Sequence, residues 1–352
     1  MSHVELKNIT KRFKSATALK DVSFDIKDGE FFVLLGPTGA GKTTTLRIIA
    51  GLEKHDEGVV LFDGEDMNDA PPAERDVAFV FQQYSLYPTM SVYDNLAFPL
   101  RAPIRRIDED EIRRRILETA EKLRISQLLD RKTGHLSGGE MQRVSIGRAI
   151  VRTPRIFLMD EPLSNLDAKL RETLRVELQH LQKSQSSTTL FVTHDQIEAL
   201  TMADRIAVLN KGRIVQIGTP EDIYDKPATT FVAQLVGTPR INLFMAGKEN
   251  STVFIEKSTL HIKVPSIDLP KSFLIGIRPE DVNPTPAGEF VGELMLTEPL
   301  GVETILHIKT GEQVITSLIP GMTDLRIGDA VHFDLIKDRL HFFDERGVRI
   351  VQ

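Results

Sequence analysis

Residues 36–43 read GPTGAGKT and match the pattern GxxxxGK[ST] of a phosphate-binding loop. Glycines in such a loop let successive backbone N–H groups converge on phosphate oxygens, and the following helix N-terminus adds positive potential. Lys42 would neutralise the β- and γ-phosphates, and the Thr43 hydroxyl would coordinate Mg²⁺. We therefore predict a nucleotide site formed by Gly36, Pro37, Thr38, Gly39, Ala40, Gly41, Lys42, Thr43 and Thr44.

Two adjacent carboxylates, Asp160 and Glu161, follow the apolar residues 156–159. At the carboxyl end of a buried strand, Asp160 is placed to hold the Mg²⁺ shell and Glu161 to polarise the water that attacks the γ-phosphate. Glu161 could alternatively cap the turn over residues 162–168. The phosphate loop favours the catalytic interpretation.

Residues 136–140 read LSGGE and precede a predicted helix. The Ser137 hydroxyl and the N–H groups of Gly138 and Gly139 would form a second anion site at that helix N-terminus. Without the phosphate loop, Ser137 would be read as a plain helix cap. The sequence thus predicts two phosphate cradles for one nucleotide.

With these motifs the chain resembles the ATP-binding-cassette (ABC) ATPases. Residues 136–140 are similar to the signature loop of that family. In the family, this loop completes the nucleotide site of the opposite subunit of a head-to-tail dimer. The resemblance implies that Phe13 stacks on adenine and that Gln82 contacts Mg²⁺ and senses the membrane partner. It also implies that Asp167 anchors the loop crossing the dimer interface and that His194 contacts the γ-phosphate. Taken alone, Phe13 would more simply be a core residue and His194 a structural one.

Glu140 departs from the family pattern, because the signature usually ends in Gln. A carboxylate near a phosphate is unfavourable unless it points towards the ribose or a cation. The remaining residues of this anion site match the family pattern.

The elements that must position these residues form an α/β pattern over residues 1–235. An apolar run, Phe31–Leu35, leads into the phosphate loop and a helix over about residues 41–50. Further buried strands are expected at residues 77–81, 156–159 and 190–193, and open sheets bind ligands at the carboxyl ends of such strands. Residues of about 90–150 read as a helical insert.

Residues 236–352 show many short strands separated by turn signals, which predicts a small all-β, OB-like barrel as a regulatory domain. Residues 276–281, GIRPED, and 298–304, EPLGVET, resemble segments of the regulatory domain of sugar and glycerol-phosphate importers. Arg278 and Glu280 could instead form a surface ion pair of little energetic value. The expected fold is an α/β P-loop ABC-type ATPase domain followed by this β domain.

Composition narrows the function classes. The chain has 44 Lys and Arg against 50 Asp and Glu, a net charge of −6, which argues against a nucleic-acid-coating protein. It has no cysteine, which excludes disulfides, thiolate metal sites and cysteine nucleophiles. The N-terminus lacks signal-peptide features and no apolar run approaches a membrane span, so we expect a cytoplasmic protein.

The resemblance implies an ATPase of a bacterial importer, using ATP and Mg²⁺, most simply for sugars or sugar-like solutes. A homodimer would lie on the inner face of the cell membrane under two permease subunits, with an extracytoplasmic solute-binding protein delivering the solute and no nucleic acid bound. Three alternatives stay open: an importer of polyamine, sulfate or iron, a soluble ABC ATPase acting on ribosomes or DNA, and a metabolite kinase.

Overall fold

The computed structural model describes residues 2–14, 16–102, 105, 107–264 and 268–350. It divides into two compact units, Met1–Pro220 and Glu221–Gln352. The expected boundary lies after residue 235, whereas the segment 221–235 belongs to the second unit. The physical reason is a set of hydrogen bonds from Arg278 to this segment.

The first unit contains two sheets. The strands of this unit are β1 Val4–Phe13, β2 Ala16–Ile26, β3 Phe31–Leu35, β4 Glu57–Phe62, β5 Glu65–Asp66, β6 Val77–Val80, β7 Ile156–Asp160, β8 Thr189–Thr193, β9 Arg205–Asn210 and β10 Arg213–Gly218. The antiparallel sheet has the order β2-β1-β4-β5. The six-stranded sheet has the order β10-β9-β3-β8-β7-β6, with β10 antiparallel to β9 and the other neighbours parallel. Every residue of β3, β7 and β8 is buried, as expected for central parallel strands.

Helices cover the larger sheet and form the predicted insert between β6 and β7. They are α1 Lys42–Ile49, α2 Val92–Ala97, α3 Glu109–Lys122, α4 Gly138–Ile150, α5 Ala168–Gln185 and α6 Gln196–Met202. The insert helices start at side-chain caps, because Ser91, Asp108 and Ser137 each accept a hydrogen bond from a first-turn N–H. Among the described residues, we find no helix with the length and apolar character that crossing a membrane demands.

The second unit is mostly β, as the sequence predicts. It begins with the short helices α7 Pro220–Asp225 and α8 Thr230–Leu235. The strands that follow are β11 Asn242–Glu249, β12 Thr252–Ile255, β13 His261–Lys263, β14 Ser272–Ile277, β15 Val282–Pro284, β16 Phe290–Pro299, β17 Glu303–Thr310, β18 Gln313–Pro320, β19 Ala330–Leu335 and β20 His341–Phe343. They form two five-stranded sheets with the orders β13-β12-β11-β14-β20 and β15-β19-β16-β17-β18. One apolar core, which includes Phe273, Phe333 and Phe342, receives side chains from both sheets.

Arg278 does not lie on the surface, so the surface ion-pair alternative is wrong. Its side chain is buried and donates hydrogen bonds to the carbonyls of Ala233 at 3.1 Å, Val236 at 2.6 Å and Tyr224 at 2.8 Å. Glu280 instead accepts a hydrogen bond from the Tyr224 hydroxyl. These bonds attach the segment containing α7 and α8 to the β domain, which places the division before this segment.

Candidate functional site

The phosphate loop leaves the carboxyl end of β3, in the middle of the six-stranded sheet. Gly36 is required there by close packing, since a Cβ on it would lie 2.2 Å from the carbonyl oxygen of Leu209. Gly41 has φ 111° and precedes α1 directly, a conformation that L side chains rarely adopt. The loop therefore brings backbone N–H groups and the α1 N-terminus to the strand end, as the motif predicts.

Lys42 is the buried cation of this loop, with a side chain only 4% exposed. Its ammonium donates hydrogen bonds to the carbonyls of Gly36 at 2.9 Å and Pro37 at 3.1 Å. It also lies 3.2 Å from Oε1 of Glu161. The ammonium is held inside the curve of the loop, where a phosphate oxygen would compete for it.

Thr43 and Asp160 meet at the next position, with the Thr43 hydroxyl donating to Asp160 Oδ1 at 3.0 Å. Burial raises the pKa of the Asp160 carboxyl, an effect that the Thr43 hydrogen bond opposes and the nearby Glu161 charge adds to. A hydroxyl and a desolvated carboxylate are hard oxygen donors of the type that Mg²⁺ takes. The two residues fit a cation that receives its remaining ligands from phosphate and water.

Glu161 follows β7 in a left-handed conformation, φ 44°, that is strained for a residue with a side chain. Its backbone N–H donates to the Val192 carbonyl at 3.0 Å, which ties the turn to β8. Its Oε2 lies 3.0 Å from Nδ1 of His194, whose side chain is half exposed. Lys42, Glu161 and His194 thus form a continuous chain of contacts across three adjacent strand ends, and these three residues are called the Lys42 cluster.

Gln82 follows β6 at the edge of this group and is exposed. Its backbone carbonyl accepts a hydrogen bond from the Asn165 side chain at 3.1 Å, which joins it to the loop after β7. In that loop Asp167 is the cap of α5, where its carboxylate accepts from the Leu170 N–H at 3.0 Å. Both predicted residues lie on loops beside the Lys42 cluster, and their roles towards a nucleotide stay predictions.

The signature loop begins α4 through Ser137, which is the helix cap that the alternative interpretation proposed. Gly139 packs closely on the α5 side chain of Leu170, since a Cβ there would lie 2.1 Å from Leu170 Cδ2. Gly138 lies beside the Tyr84 hydroxyl, 3.1 Å from an added Cβ. Within the described ranges, no hydrogen bond joins Ser137, Gly138 or Gly139 to the Lys42 cluster.

Phe13 ends β1 with 43% of its surface exposed, so it is not a core residue. The Lys11 ammonium lies 4.7 Å from its ring centroid. An exposed aromatic face with a cation beside it can stack on a planar base, which is the role that the resemblance implies.

Sequence reasoning missed two residues that support the site. Asn165 lies two residues before Asp167, but an uncharged amide carries no signal of its own in the sequence. Glu198 is buried and accepts a hydrogen bond from the Thr193 hydroxyl, and burial raises the pKa of its carboxyl. A lone glutamate in a short helix usually faces solvent, so no signal in the sequence could have identified it.

Two family models match the chain. Residues 19–164 match "ABC transporter" and residues 275–343 match "TOBE domain". The first match contains the phosphate loop, the signature loop and the carboxylates after β7. The second lies within the β unit.

Curated relatives match along nearly the whole chain. The chain is 43% identical over 374 residues to a trehalose/maltose import ATP-binding protein, MalK, of Thermococcus litoralis, covering 98% of both chains. It is 45% identical over 358 residues to an sn-glycerol-3-phosphate import ATP-binding protein, UgpC 3, of Agrobacterium fabrum, covering 99% of this chain and 100% of the relative. The chain is also 43% identical to an alpha-glucoside transport ATP-binding protein, AglK, of Rhizobium meliloti, and the match covers 99% of this chain and 99% of the relative.

Solved structures match the first part of the chain. A dimeric ATP-binding cassette in a post-hydrolysis state, bound to ADP and Pi, is 36% identical with a TM-score of 0.56, covering 62% of this chain and 98% of that chain. A nucleotide-free cassette from a transporter is 30% identical with a TM-score of 0.55, covering 62% of this chain and 92% of that chain.

Proposed function

Because this chain belongs to the ABC transporter ATP-binding proteins with a TOBE domain and is an ATPase, we propose that it powers an importer of sugars or sugar-like solutes. The observation that carries the proposal is the contact chain Lys42–Glu161–His194 at the end of a complete phosphate loop. The sugar class is supported by relatives whose names describe import of trehalose/maltose, alpha-glucoside and sn-glycerol-3-phosphate.

The chemical step assigned to these residues is attack of water on the γ-phosphate of ATP. Glu161 takes the proton of the attacking water, a P–O bond forms to that oxygen, and the bond to the leaving ADP oxygen breaks. Lys42 and the loop N–H groups stabilise the charge on the phosphates. His194, held by Glu161, is placed at the γ-phosphate end, and Phe13 faces the adenine.

Thr43 and Asp160 would hold Mg²⁺ together with Gln82. When bound there, Mg²⁺ would supply positive charge that stabilises the phosphate groups. The Thr43–Asp160 hydrogen bond already holds two of these oxygen donors within 3.0 Å of each other. The unfavourable burial of the Asp160 carboxylate would be relieved by a cation at this position.

Two copies would close around ATP, with Ser137, Gly138 and Gly139 of one copy facing Lys42 of the other. The absence of a hydrogen bond between these groups within one chain, over the residues described, supports a site completed by a second copy. Asp167 would lie at the interface between the copies. A solved cassette that is similar to this chain is dimeric, which supports the pairing of two copies.

The membrane partner would be a pair of permease subunits docked near Gln82. A groove of about 300 Å³ lies there, and the aromatic residues Phe81, Tyr87 and Phe98 line it. Tyr87 and Phe98 are 39% and 48% exposed, and exposed aromatic side chains are typical of interface anchors. The chain would then be a peripheral protein on the inner face of the cell membrane, served by an extracytoplasmic solute-binding protein and without nucleic acid.

Affinity capture tests this proposal. The Glu161→Gln protein would be captured from its native membranes with Mg-ATP, and Lys42→Ala would serve as the control that does not close. We expect two multi-span permeases in the first sample, and a cognate binding protein that binds sugars. Ribosomes, nucleic acid or no membrane protein would contradict the importer assignment, and a binding protein specific for polyamine, sulfate or iron would contradict the sugar class.

A further inference from the structure

The Glu140 side chain accepts hydrogen bonds from two donors of Ser137, in the signature loop. Its Oε2 accepts a hydrogen bond from the Ser137 backbone N–H at 2.8 Å and a second from the Ser137 hydroxyl at 2.8 Å. The Ser137 Oγ in turn lies 3.4 Å from the Glu140 N–H. The loop is thus closed on itself by a capping box whose acceptor is a carboxylate.

This carboxylate is charged at neutral pH. Hydrogen bonds from the backbone and then the side chain of Ser137 lower the pKa of Glu140, and Arg131 contributes a weaker effect in the same direction. No ion pair with Glu140 is found in the part of the chain that the structure describes. The side chain is partly exposed, so its charge is solvated but not neutralised.

One of the two donors that Glu140 holds, the Ser137 hydroxyl, is also a donor that an incoming phosphate needs. A hydroxyl has one hydrogen, so Ser137 can donate either to Glu140 or to a phosphate oxygen. Hydrogen bonds to an ionised acceptor are about twice as strong as those between neutral groups, so the carboxylate is a strong competitor. Its charge also repels the anionic γ-phosphate.

We infer that Glu140 acts as an electrostatic brake on the ATP-driven closure of two copies, by holding the Ser137 hydroxyl until the γ-phosphate displaces the carboxylate. The inference rests on the proposed function, because it requires the signature loop of one copy to meet ATP bound by the other. Glu140 touches no reacting atom, and it is a positioning residue that acts through Ser137.

The Glu140→Gln variant removes the charge of this side chain but keeps its shape and its hydrogen bond at the start of α4. A glutamine side chain has nearly the same shape and an amide oxygen that can still accept from the Ser137 N–H, so the start of α4 is kept. The neutral amide competes less strongly for the hydroxyl and does not repel phosphate. Glu121→Gln on α3 makes the same charge change at an exposed side chain for which the described residues provide no ion pair, and is the matched control.

The test is the Mg-ATP concentration that gives half-maximal dimer, measured by sedimentation of the full chain in a Glu161→Gln background. We expect Glu140→Gln to lower this concentration about fivefold, the effect of removing one solvated like-charge contact. The difference should shrink in 1 M salt, where the screening length falls to about 3 Å. ADP binding, which involves no γ-phosphate, should be equal in all variants.

An ATP-induced dimer with the same ATP requirement in the Glu140→Gln and parent proteins would overturn the inference alone. An equal shift in the Glu121→Gln control would also overturn it, because the effect would then come from overall charge. If no variant dimerises with ATP, the proposed function itself is contradicted together with the inference.

Discussion

The ammonium of Lys42 and the carboxylate of Glu161 lie 3.2 Å apart, although one is assigned to phosphate and the other to water. Both side chains are largely buried, so each neutralises the other in the absence of nucleotide. In the proposed mechanism a γ-phosphate takes over the ammonium, which frees Oε1 of Glu161 to accept a proton. Binding and activation of the base would therefore be coupled through this one contact.

Glu161→Gln should remove hydrolysis and preserve ATP binding. The amide cannot accept the proton of the attacking water, so we expect turnover to fall by about 10²–10⁴-fold. Loss of the ion pair with Lys42 also frees the ammonium for phosphate, so affinity should be equal or higher. Phosphate release and equilibrium ATP binding measure the two effects, and unchanged steady-state hydrolysis would contradict the base assignment.

Lys42→Ala should weaken ATP binding by about 10–100-fold, the value of one or two hydrogen bonds to a charged group. The variant also leaves the carboxylate of Glu161 without its cation. Direct binding of a fluorescent ATP analogue checks the loss. Lys54→Ala is a suitable control, since its side chain is 76% exposed and pairs only with the exposed Asp69 in the described residues. Equal affinity of both variants would refute the role of Lys42.

Arg278→Met should destabilise the β unit by about 2–4 kcal/mol, because the buried carbonyls of Ala233, Val236 and Tyr224 lose their donor. The midpoint of denaturant unfolding of the full chain measures this change. Arg326→Met, at an exposed position, should change the free energy of unfolding by less than about 0.5 kcal/mol. Equal effects of the two substitutions would show that the buried bonds contribute nothing.

Asp281→Asn should change the pH dependence of stability. Burial raises the pKa of Asp281 from 3.8 to about 6, although Arg339 lies 3.2 Å away and acts in the opposite direction. The folded state therefore holds the proton more tightly than the unfolded state, and its stability falls as the pH rises from about 4 to about 6. The Asp281→Asn protein has no titrating carboxyl at this position, so it should not lose stability for this reason as the pH rises.

Unfolding of the wild-type and Asp281→Asn proteins from pH 4.5 to 7.5 measures the difference. We expect the stability of the variant relative to wild type to increase up to about pH 7 and then stay constant. A difference that is independent of pH would mean that Asp281 titrates alike in both states.

The phosphate loop, the Asp160–Glu161 pair and the LSGGE segment are contiguous, so each can be recognised from the local sequence. Long-range pairing was harder, since the contact between Glu161 and His194 joins residues 33 positions apart and depends on the neighbouring order of β7 and β8.

Other features depend on tertiary contacts that no local pattern encodes. The buried position of Arg278 could not be predicted, because its carbonyl acceptors lie 42–54 residues away and carbonyls have no sequence signature. Glu140 was identified as a departure, but its acceptor role towards Ser137 required the structure.

The most direct test of the central claim, that two copies share each ATP, is a mixing experiment in the Glu161→Gln background. Lys42→Ala removes one half of each shared site and Ser137→Arg removes the other, so neither protein alone should dimerise with Mg-ATP. A mixture restores one complete site, because the intact Lys42 and Ser137 come from different chains. We predict an ATP-dependent dimer by sedimentation only in the mixture, and the absence of that dimer, or its formation by either variant alone, would contradict the account.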